Sequence, residues 1–164
     1  MSKIRVVVIG AAGKMGREVV RAVTGADDMW LVGAVDQNGI GEELGGVKIS
    51  KDVAATIEKV KPDVVVDFTH PTAAAKNVQI VLTKRICAVV GTTGIPEKEI
   101  RNIRAVADKK KIGVLIGPNF AIGAVLLMKM SKELAPHFAK AEIIELHHDR
   151  KADAPSGTAI ATAN

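Results

Sequence analysis

Near its amino terminus the chain reads Ile4-Arg-Val-Val-Val-Ile-Gly10-Ala-Ala-Gly13-Lys-Met-Gly16, an apolar run that leads directly into a glycine-rich turn. Glycines suit such a turn because the chain must bend sharply, approach a pyrophosphate closely and pack the next helix against the strand. A helix beginning near Lys14 offers free N–H groups and its positive dipole end to phosphates. The spacing is GxxGxxG rather than GxGxxG, so a plain structural turn remains an alternative to a dinucleotide site.

An acidic residue at the end of the second apolar run strengthens the dinucleotide interpretation. The run at residues 30–35 ends at Asp36, about twenty residues beyond Gly16, where the motif places an acid for the ribose hydroxyls. An exposed loop acid is the alternative for Asp36 taken alone. Because a carboxylate repels a 2′-phosphate and Gln37 adds no cation, we expect NADH to bind at least as well as NADPH.

Apolar runs alternate with segments of helical periodicity along most of the chain. The predicted strands are 4–9, 30–35, 63–67, 86–90 and 113–116, and the predicted helices are 14–24, 51–60, 71–83 and 96–109. Ser50 is the expected N-cap of the second helix. This alternation predicts an α/β fold class, a Rossmann-type doubly wound parallel sheet with helices on both faces.

The pattern changes after Gly117. A helix is predicted at residues 121–134, a strand at 141–147, and a further helix from residue 156 onward. We therefore divide the chain into a dinucleotide-binding domain, residues 1–120, and the beginning of a second, α+β domain, residues 121–164.

Composition restricts the class of protein. The 164 residues carry a net charge of +5, but no basic patch is interleaved with aromatic residues, so we expect no nucleic-acid partner. One cysteine, Cys87, excludes an internal disulfide and indicates a reducing compartment; its apolar neighbours predict a buried thiol. No signal peptide and no run of about 20 apolar residues is present, so we expect a cytoplasmic protein without a membrane partner.

Three predicted strands end in loops suited to a cofactor. These loops read Phe68-Thr-His-Pro71, Gly91-Thr-Thr-Gly94 and Gly117-Pro-Asn-Phe-Ala-Ile-Gly123. In open α/β sheets ligands bind beyond the carboxyl ends of the strands, so we expect these amides, hydroxyls and the carboxamide to face ribose and nicotinamide. Each loop taken singly is also consistent with ordinary turn chemistry, and His70 with an exposed turn residue.

The densest group of chemically active side chains lies near the carboxyl end. It reads Glu145-Leu-His147-His148-Asp-Arg-Lys151-Ala-Asp-Ala-Pro-Ser-Gly157-Thr158. Ser-Gly-Thr opening a helix suits a carboxylate, and His147 or Lys151 can supply a proton. A surface loop is the leading alternative. A metal site is the weaker one, because no cysteine and no helical histidine pair supports it, and we predict no metal.

Five of these motifs, in this order, closely resemble the 4-hydroxy-tetrahydrodipicolinate reductase (dihydrodipicolinate reductase) family, over the whole chain. The resemblance implies hydride transfer from NADH or NADPH to the dehydrated form of 4-hydroxy-tetrahydrodipicolinate, giving tetrahydrodipicolinate on the route to diaminopimelate and lysine. It also implies a second domain for substrate binding and assembly into a homotetramer.

The resemblance also implies roles for individual residues. His147 corresponds to the proton donor or acceptor and Lys151 to the second proton donor, while His148, Gly157 and Thr158 correspond to contacts with the substrate carboxylates. The positions that correspond to cofactor contacts are Gly10, Ala11, Ala12, Gly13, Lys14, Met15, Asp36, Gly91, Thr92, Thr93, Gly117, Pro118, Asn119 and Phe120.

The helical pattern at the end of the chain is still in progress at Asn164, whereas family members have a larger second domain. We therefore expect a fragment that is not catalytically competent by itself. Two other functions share part of the pattern. A related two-domain dehydrogenase acting on another small acid would lack the His147–Thr158 motif, and a non-catalytic NAD(P)-binding module would not need its cations.

Overall fold

The structure is a computed structural model that describes residues 2–147 and 154–164. The chain forms two compact units, Met1–Ile116 and Gly117–Asn164. The strands of the first unit are β1 (Ile4–Ile9), β2 (Met29–Val35), β3 (Glu43–Leu44), β4 (Val47–Ser50), β5 (Val64–Asp67), β6 (Cys87–Val90) and β7 (Val114–Ile116). Its helices are α1 (Lys14–Gly25), α2 (Val53–Val60), α3 (Pro71–Thr83) and α4 (Glu97–Lys110).

The strands of the first unit form one sheet in the order β3-β4-β2-β1-β5-β6-β7. Every neighbouring pair is parallel except β3 and β4, which run antiparallel. The order reverses direction between β1 and β5, and this reversal opens a crevice at the carboxyl ends of the strands. The predicted α/β fold class with a doubly wound sheet is confirmed.

The central strands are apolar throughout because both faces of the sheet are covered. Val6 and Val8 of β1 pack with Val20 and Val23 of α1 on one face. Residues of opposite parity contribute to a larger cluster on the other face, where the helices supply Ile57, Val78, Leu82 and Ile103. The period-two alternation of a strand therefore sends successive valines into two separate cores.

The sequence pattern predicts no strand between Val35 and Lys51, yet β3 and β4 form a hairpin there. Its turn consists of Gly45 and Gly46, with φ values of +60° and +82°. Two residues at positive φ are what a two-residue hairpin turn requires, so this glycine pair was the signal that could have identified it. The strands themselves are too short to show a clear alternation.

Two local expectations were wrong. Asp52, not Ser50, caps α2, because its Oδ1 accepts a hydrogen bond of 2.9 Å from the Ala55 N–H and the helix begins at Val53. The thiol of Cys87 is exposed rather than buried. Cys87 is the first residue of β6, where the strand emerges from the core, whereas the next residue, Ala88, is 3% exposed.

The second unit is mainly helical. It contains α5 (Ile122–Leu134), a 3₁₀ turn (Ala135–His137) and α6 (Gly157–Ala163). The predicted strand at residues 141–147 is wrong: these residues have no regular secondary structure, and Ile144 and Leu146 are 82% and 91% exposed. A strand needs a neighbour for its N–H and C=O groups, and no strand of the described part of this unit supplies one.

We predict that Asp52→Ala lowers the free energy of unfolding by about 1 kcal/mol, because the first turn of α2 loses its capping acceptor. Asp52→Asn is the matched control, since its side-chain oxygen can still accept from the Ala55 N–H. Urea unfolding followed by circular dichroism measures both values. Equal stability of the Ala and Asn variants would show that the cap contributes nothing.

Candidate functional site

The glycine turn after β1 is built on close backbone contacts. Gly10 has a φ of +79°, and a Cβ there would collide with the carbonyl oxygen of Phe68. A Cβ on Gly16 would collide with the carbonyl of Gly10 itself. Gly13 is different: it is exposed, and a Cβ there would meet only the Gly10 oxygen, at 3.2 Å. Gly10 and Gly16 are therefore needed by the fold, and Gly13 leaves an open approach.

The amino-terminal end of α1 points into this approach. Its N-cap is Gly13, which has no side chain to cap the first turn. The first N–H groups of a helix have no partner within the helix, so those of the first turn of α1 are directed at whatever lies beyond it. With the dipole of a helix of 12 residues behind them, they form a site suited to an anion.

Asp36 lies directly beside the glycine turn. Its Oδ2 accepts a hydrogen bond of 2.9 Å from the Ala12 N–H, and its Oδ1 accepts one of 2.9 Å from the Asn38 N–H. The carboxylate is thus fixed by the backbone on both sides. The nearby cation Arg17 donates from Nε to the carbonyl of Ala12 at 3.0 Å, so its side chain folds along the turn.

A buried carboxylate joins the loops that follow β5 and β6. Asp67 is 2% exposed, and its Oδ1 accepts from the Thr69 N–H at 3.0 Å, from the Thr69 hydroxyl at 2.7 Å and from the Thr92 hydroxyl at 3.1 Å. Its Oδ2 accepts from Nδ2 of Asn77 at 2.8 Å. Thr92 in turn accepts from the Thr69 N–H at 2.8 Å. We call these four side chains the Asp67 network.

A cavity of about 330 Å³ lies where these parts meet. It is lined by Ile9, Gly10, Gly13, Val35, Asp36, Gln37, Asn38, Val53, Phe68, Thr69, His70, Ala73 and Asn77. It brings together the predicted Gly10, Gly13 and Asp36. Gly91 lies behind this lining, because a Cβ there would collide with the Phe68 ring.

The sequence pattern does not identify all of the residues that line the cavity. Ala73 and Asn77 are four residues apart on α3 and share the face that borders the cavity. His70 is an exposed residue at the start of α3, as expected, and it also lines the cavity. The Thr92 hydroxyl was expected to face the cofactor, but the residue is 6% exposed and its hydroxyl is occupied by Asp67.

In the second unit, a predicted cofactor residue contacts a predicted substrate residue. Nδ2 of Asn119 donates to the Thr158 hydroxyl oxygen at 3.0 Å, and Oδ1 of Asn119 accepts from the Ala121 N–H at 2.8 Å. The Phe120 ring packs over Gly117, where a Cβ would lie 2.8 Å from the ring. The loop at residues 117–121 is therefore held to α6 and folded on itself.

Glu145 links the predicted catalytic histidine to the start of α6. Its carboxylate accepts from the Ser156 N–H at 3.0 Å and from the Ser156 hydroxyl at 2.5 Å, and its Oε1 lies 4.0 Å from Nδ1 of His147. Ser156 also caps α6 by accepting from the Ala159 N–H at 3.0 Å. The predicted residues His148 and Lys151 lie outside the described residues.

Within the described ranges, no three His, Cys, Asp or Glu side chains converge on a point where they could hold a metal ion. A search of the same residues finds no helix with the length and hydropathy to span a membrane.

Two family profiles match the chain in succession. The one described as "Dihydrodipicolinate reductase, N-terminus" matches residues 4–120, and the one described as "Dihydrodipicolinate reductase, C-terminus" matches residues 123–164. Together they account for almost the whole chain, with the change from one profile to the other close to the start of the second unit.

Individual proteins with the same names are similar to the chain. The 4-hydroxy-tetrahydrodipicolinate reductases of Desulfitobacterium hafniense and Rippkaea orientalis are 47% and 50% identical, over 99% of this chain and 64% of their own length. The solved structure of dipicolinate-bound dihydrodipicolinate reductase from Paenisporosarcina sp. TG-14 gives a TM-score of 0.83 at 39% identity, covering 98% of this chain and 64% of that one. The chain therefore spans about 64% of the length of these relatives.

We predict that Gly91→Ala lowers the free energy of unfolding by about 1–3 kcal/mol, because the new methyl group overlaps the Phe68 ring. Gly113→Ala is the control, since a Cβ there would lie at an ordinary 3.5 Å from the Cys87 sulfur. Adding Phe68→Ala to Gly91→Ala should make the two effects less than additive. Urea unfolding measures all four variants, and equal stability of the two glycine variants would contradict the steric argument.

Proposed function

Because the chain belongs to the dihydrodipicolinate reductase family, we propose that it carries the cofactor site and proton donors of a 4-hydroxy-tetrahydrodipicolinate reductase. The reaction reduces the dehydrated form of 4-hydroxy-tetrahydrodipicolinate to tetrahydrodipicolinate, on the route to diaminopimelate and lysine. The observation that carries this proposal is the crevice at the ends of β1, β2 and β5, in which Gly10, Gly13 and Asp36 converge.

The backbone around this crevice has a shape that suits NADH or NADPH. The pyrophosphate belongs at the amino-terminal end of α1, where Gly13 leaves room, and the adenosine ribose belongs at Asp36. Asp36 favours NADH because a 2′-phosphate would bring a second anion against a carboxylate, and Lys14 and Arg17 reduce that preference. The contacts proposed for the cofactor are Gly10, Ala11, Ala12, Gly13, Lys14, Met15, Asp36, Gly91, Thr92, Thr93, Gly117, Pro118, Asn119 and Phe120. Thr92 is assigned a backbone contact only.

The substrate is a small cyclic dicarboxylate, in keeping with the dipicolinate named for the Paenisporosarcina relative. We assign its carboxylates to His148, Gly157 and Thr158. Since the Thr158 oxygen accepts from Asn119, the hydroxyl hydrogen of Thr158 is left to donate to a carboxylate oxygen. Asn119 thereby orients a group that binds substrate.

Proton delivery is assigned to His147 and Lys151. A bound nicotinamide would supply the hydride, and one of these two side chains would donate the proton that quenches the negative charge developing on the substrate ring. Glu145, 4.0 Å from the imidazole of His147, helps to hold that side chain in place. Positive charge around the ring lowers the energy of the transition state where water is excluded.

The family resemblance also supports two further proposals: the protein acts in the cytoplasm, and it assembles as a homotetramer. We propose no nucleic-acid or membrane partner. Mass measurement of the native assembly tests the second proposal, since a homotetramer has four times the mass of its subunit.

We predict that Gly13→Ala raises the Kd for NADH at least about tenfold, equivalent to roughly 1.4 kcal/mol, because the methyl group stands where the pyrophosphate approaches. Gly25→Ala, at the other end of α1, is the matched control, since a Cβ there has no atom within 4 Å. Titration calorimetry on the two folded variants provides the comparison. Unchanged affinity in Gly13→Ala would place the phosphates elsewhere.

We predict that His147→Ala and Lys151→Ala each lower kcat at least about a hundredfold, a typical contribution of a general acid. The Kd for NADH should barely change, because both residues act on the substrate. His137→Ala, which removes a histidine of the 3₁₀ turn, is the control. The value of kcat is measured from NADH oxidation with freshly prepared substrate, in an active enzyme that carries this sequence. Near-normal turnover in either variant would remove that residue from the mechanism.

A further inference from the structure

Asp67 is a buried acid for which the proposed reaction has no use. It is the last residue of β5, it is 2% exposed, and it does not line the crevice. A carboxylate removed from water is strongly disfavoured unless its oxygens are paired. Among the described residues no cationic side chain pairs with Asp67, so hydrogen-bond donors alone compensate its burial.

Those donors come from three different segments of the chain. The N–H and hydroxyl of Thr69 belong to the loop after β5, the hydroxyl of Thr92 to the loop after β6, and the amide of Asn77 to the second turn of α3. One carboxylate therefore fixes two neighbouring loops and a helix relative to one another. Because Asp67 is buried, losing the Asn77 amide would remove the donor of Oδ2, and losing the Thr92 hydroxyl would remove a link between the two loops. Each donor therefore contributes to the arrangement.

The same carboxylate determines how Asn77 faces the crevice. A carboxylate oxygen only accepts, so the side chain of Asn77 must turn its NH₂ group towards Asp67. Its carbonyl oxygen is then directed away from Asp67, and Asn77 and Thr69 both line the cavity. Phe68, which lies between Asp67 and Thr69, packs against Gly91 and brings its carbonyl to Gly10.

We propose that Asp67 is a positioning residue that presets the cofactor crevice before any ligand arrives. It holds Thr69 and Thr92 together and thereby fixes Phe68 against the glycine turn. It touches neither cofactor nor substrate, and the inference rests on the proposed binding of NADH in this crevice. A preformed site saves the cost of ordering its loops at the moment of binding, so loss of Asp67 should weaken binding in a protein that is still folded.

Asp67→Ala removes both carboxylate oxygens of the network, whereas Asp67→Asn keeps one oxygen for the three donors at Oδ1. In the Asn variant, Asn77 can turn its amide over and accept from the new NH₂ group. We expect Asp67→Ala to raise the Kd for NADH at least about tenfold, and Asp67→Asn to recover most of that loss. Thr92→Val leaves Asp67 in place and removes one donor, so it should also raise the Kd for NADH. This variant provides the test if Asp67→Ala does not fold.

The control for a merely structural role is Val81→Ala, a core truncation in the last turns of α3. It should lower Tm while leaving the Kd for NADH unchanged at temperatures where the variant is folded. If Kd followed Tm in all variants alike, Asp67 would have no specific role in the crevice and the proposal would be overturned.

Hydrogen exchange of the unliganded 164-residue chain gives a readout that needs no cofactor. We expect amides of residues 68–70 and 91–94 to exchange at least about tenfold faster in Asp67→Ala and Thr92→Val than in the wild type or Val81→Ala. Wild-type exchange in both variants overturns the proposal. Faster exchange in a chain that fails to bind NADH supports the positioning role and refutes the assignment of the cofactor instead, so the two failures are distinguishable.

Discussion

The first unit depends on one steric constraint, the contact between backbones where the turn after β1 meets the loop after β5. Gly10 lies against the carbonyl of Phe68, and Gly16 lies against the carbonyl of Gly10. Without a Cβ at either position α1 can start close to the sheet, with its free N–H groups at the end of β1. The same approach brings Ala12 within hydrogen-bond distance of Asp36. Neither the anion site nor the position of the acid would exist if the turn were wider.

Most of this fold could be predicted from the sequence because its strands are short, apolar and separated by helical periods. β1 has the predicted bounds, and the other predicted strands of the sheet differ from the observed ones by one residue at most. The β3–β4 hairpin could not be predicted because its strands, with two and four residues, are too short to show a periodic pattern. The error at residues 141–147 has another cause. Alternation of apolar side chains shows that a strand is possible, but a strand also needs a partner, which local sequence does not report.

The candidate site also contains residues that the sequence identifies and residues that it does not. Gly10, Gly13 and Asp36 could be identified because their spacing is set by the local geometry of one strand, turn and helix. The Asp67 network could not be identified, since Asn77 and Thr92 lie 10 and 25 residues from Asp67 in sequence and are unremarkable singly. Only the sheet, by pairing β5 with β6, brings their ends together. For that reason the Thr92 hydroxyl was expected to face a ligand rather than a buried acid.

Asp36, which lines the crevice, and Asp67, which is buried behind it, illustrate complementary ways of preparing a binding site. Asp67 is buried and accepts from four donors, so its carboxylate holds the loops together and is not accessible to a ligand. Asp36 is only partly buried and accepts one backbone N–H on each oxygen. Oδ1 of Asp36 also accepts from Nδ2 of Asn38 at 3.5 Å. A carboxylate has about four acceptor positions, so the one that remains, on Oδ2, can accept a ribose hydroxyl without breaking an existing bond. The backbone bonds prevent the carboxylate from turning away from a 2′-phosphate, so the proposed preference for NADH rests on its fixed position as well as its charge.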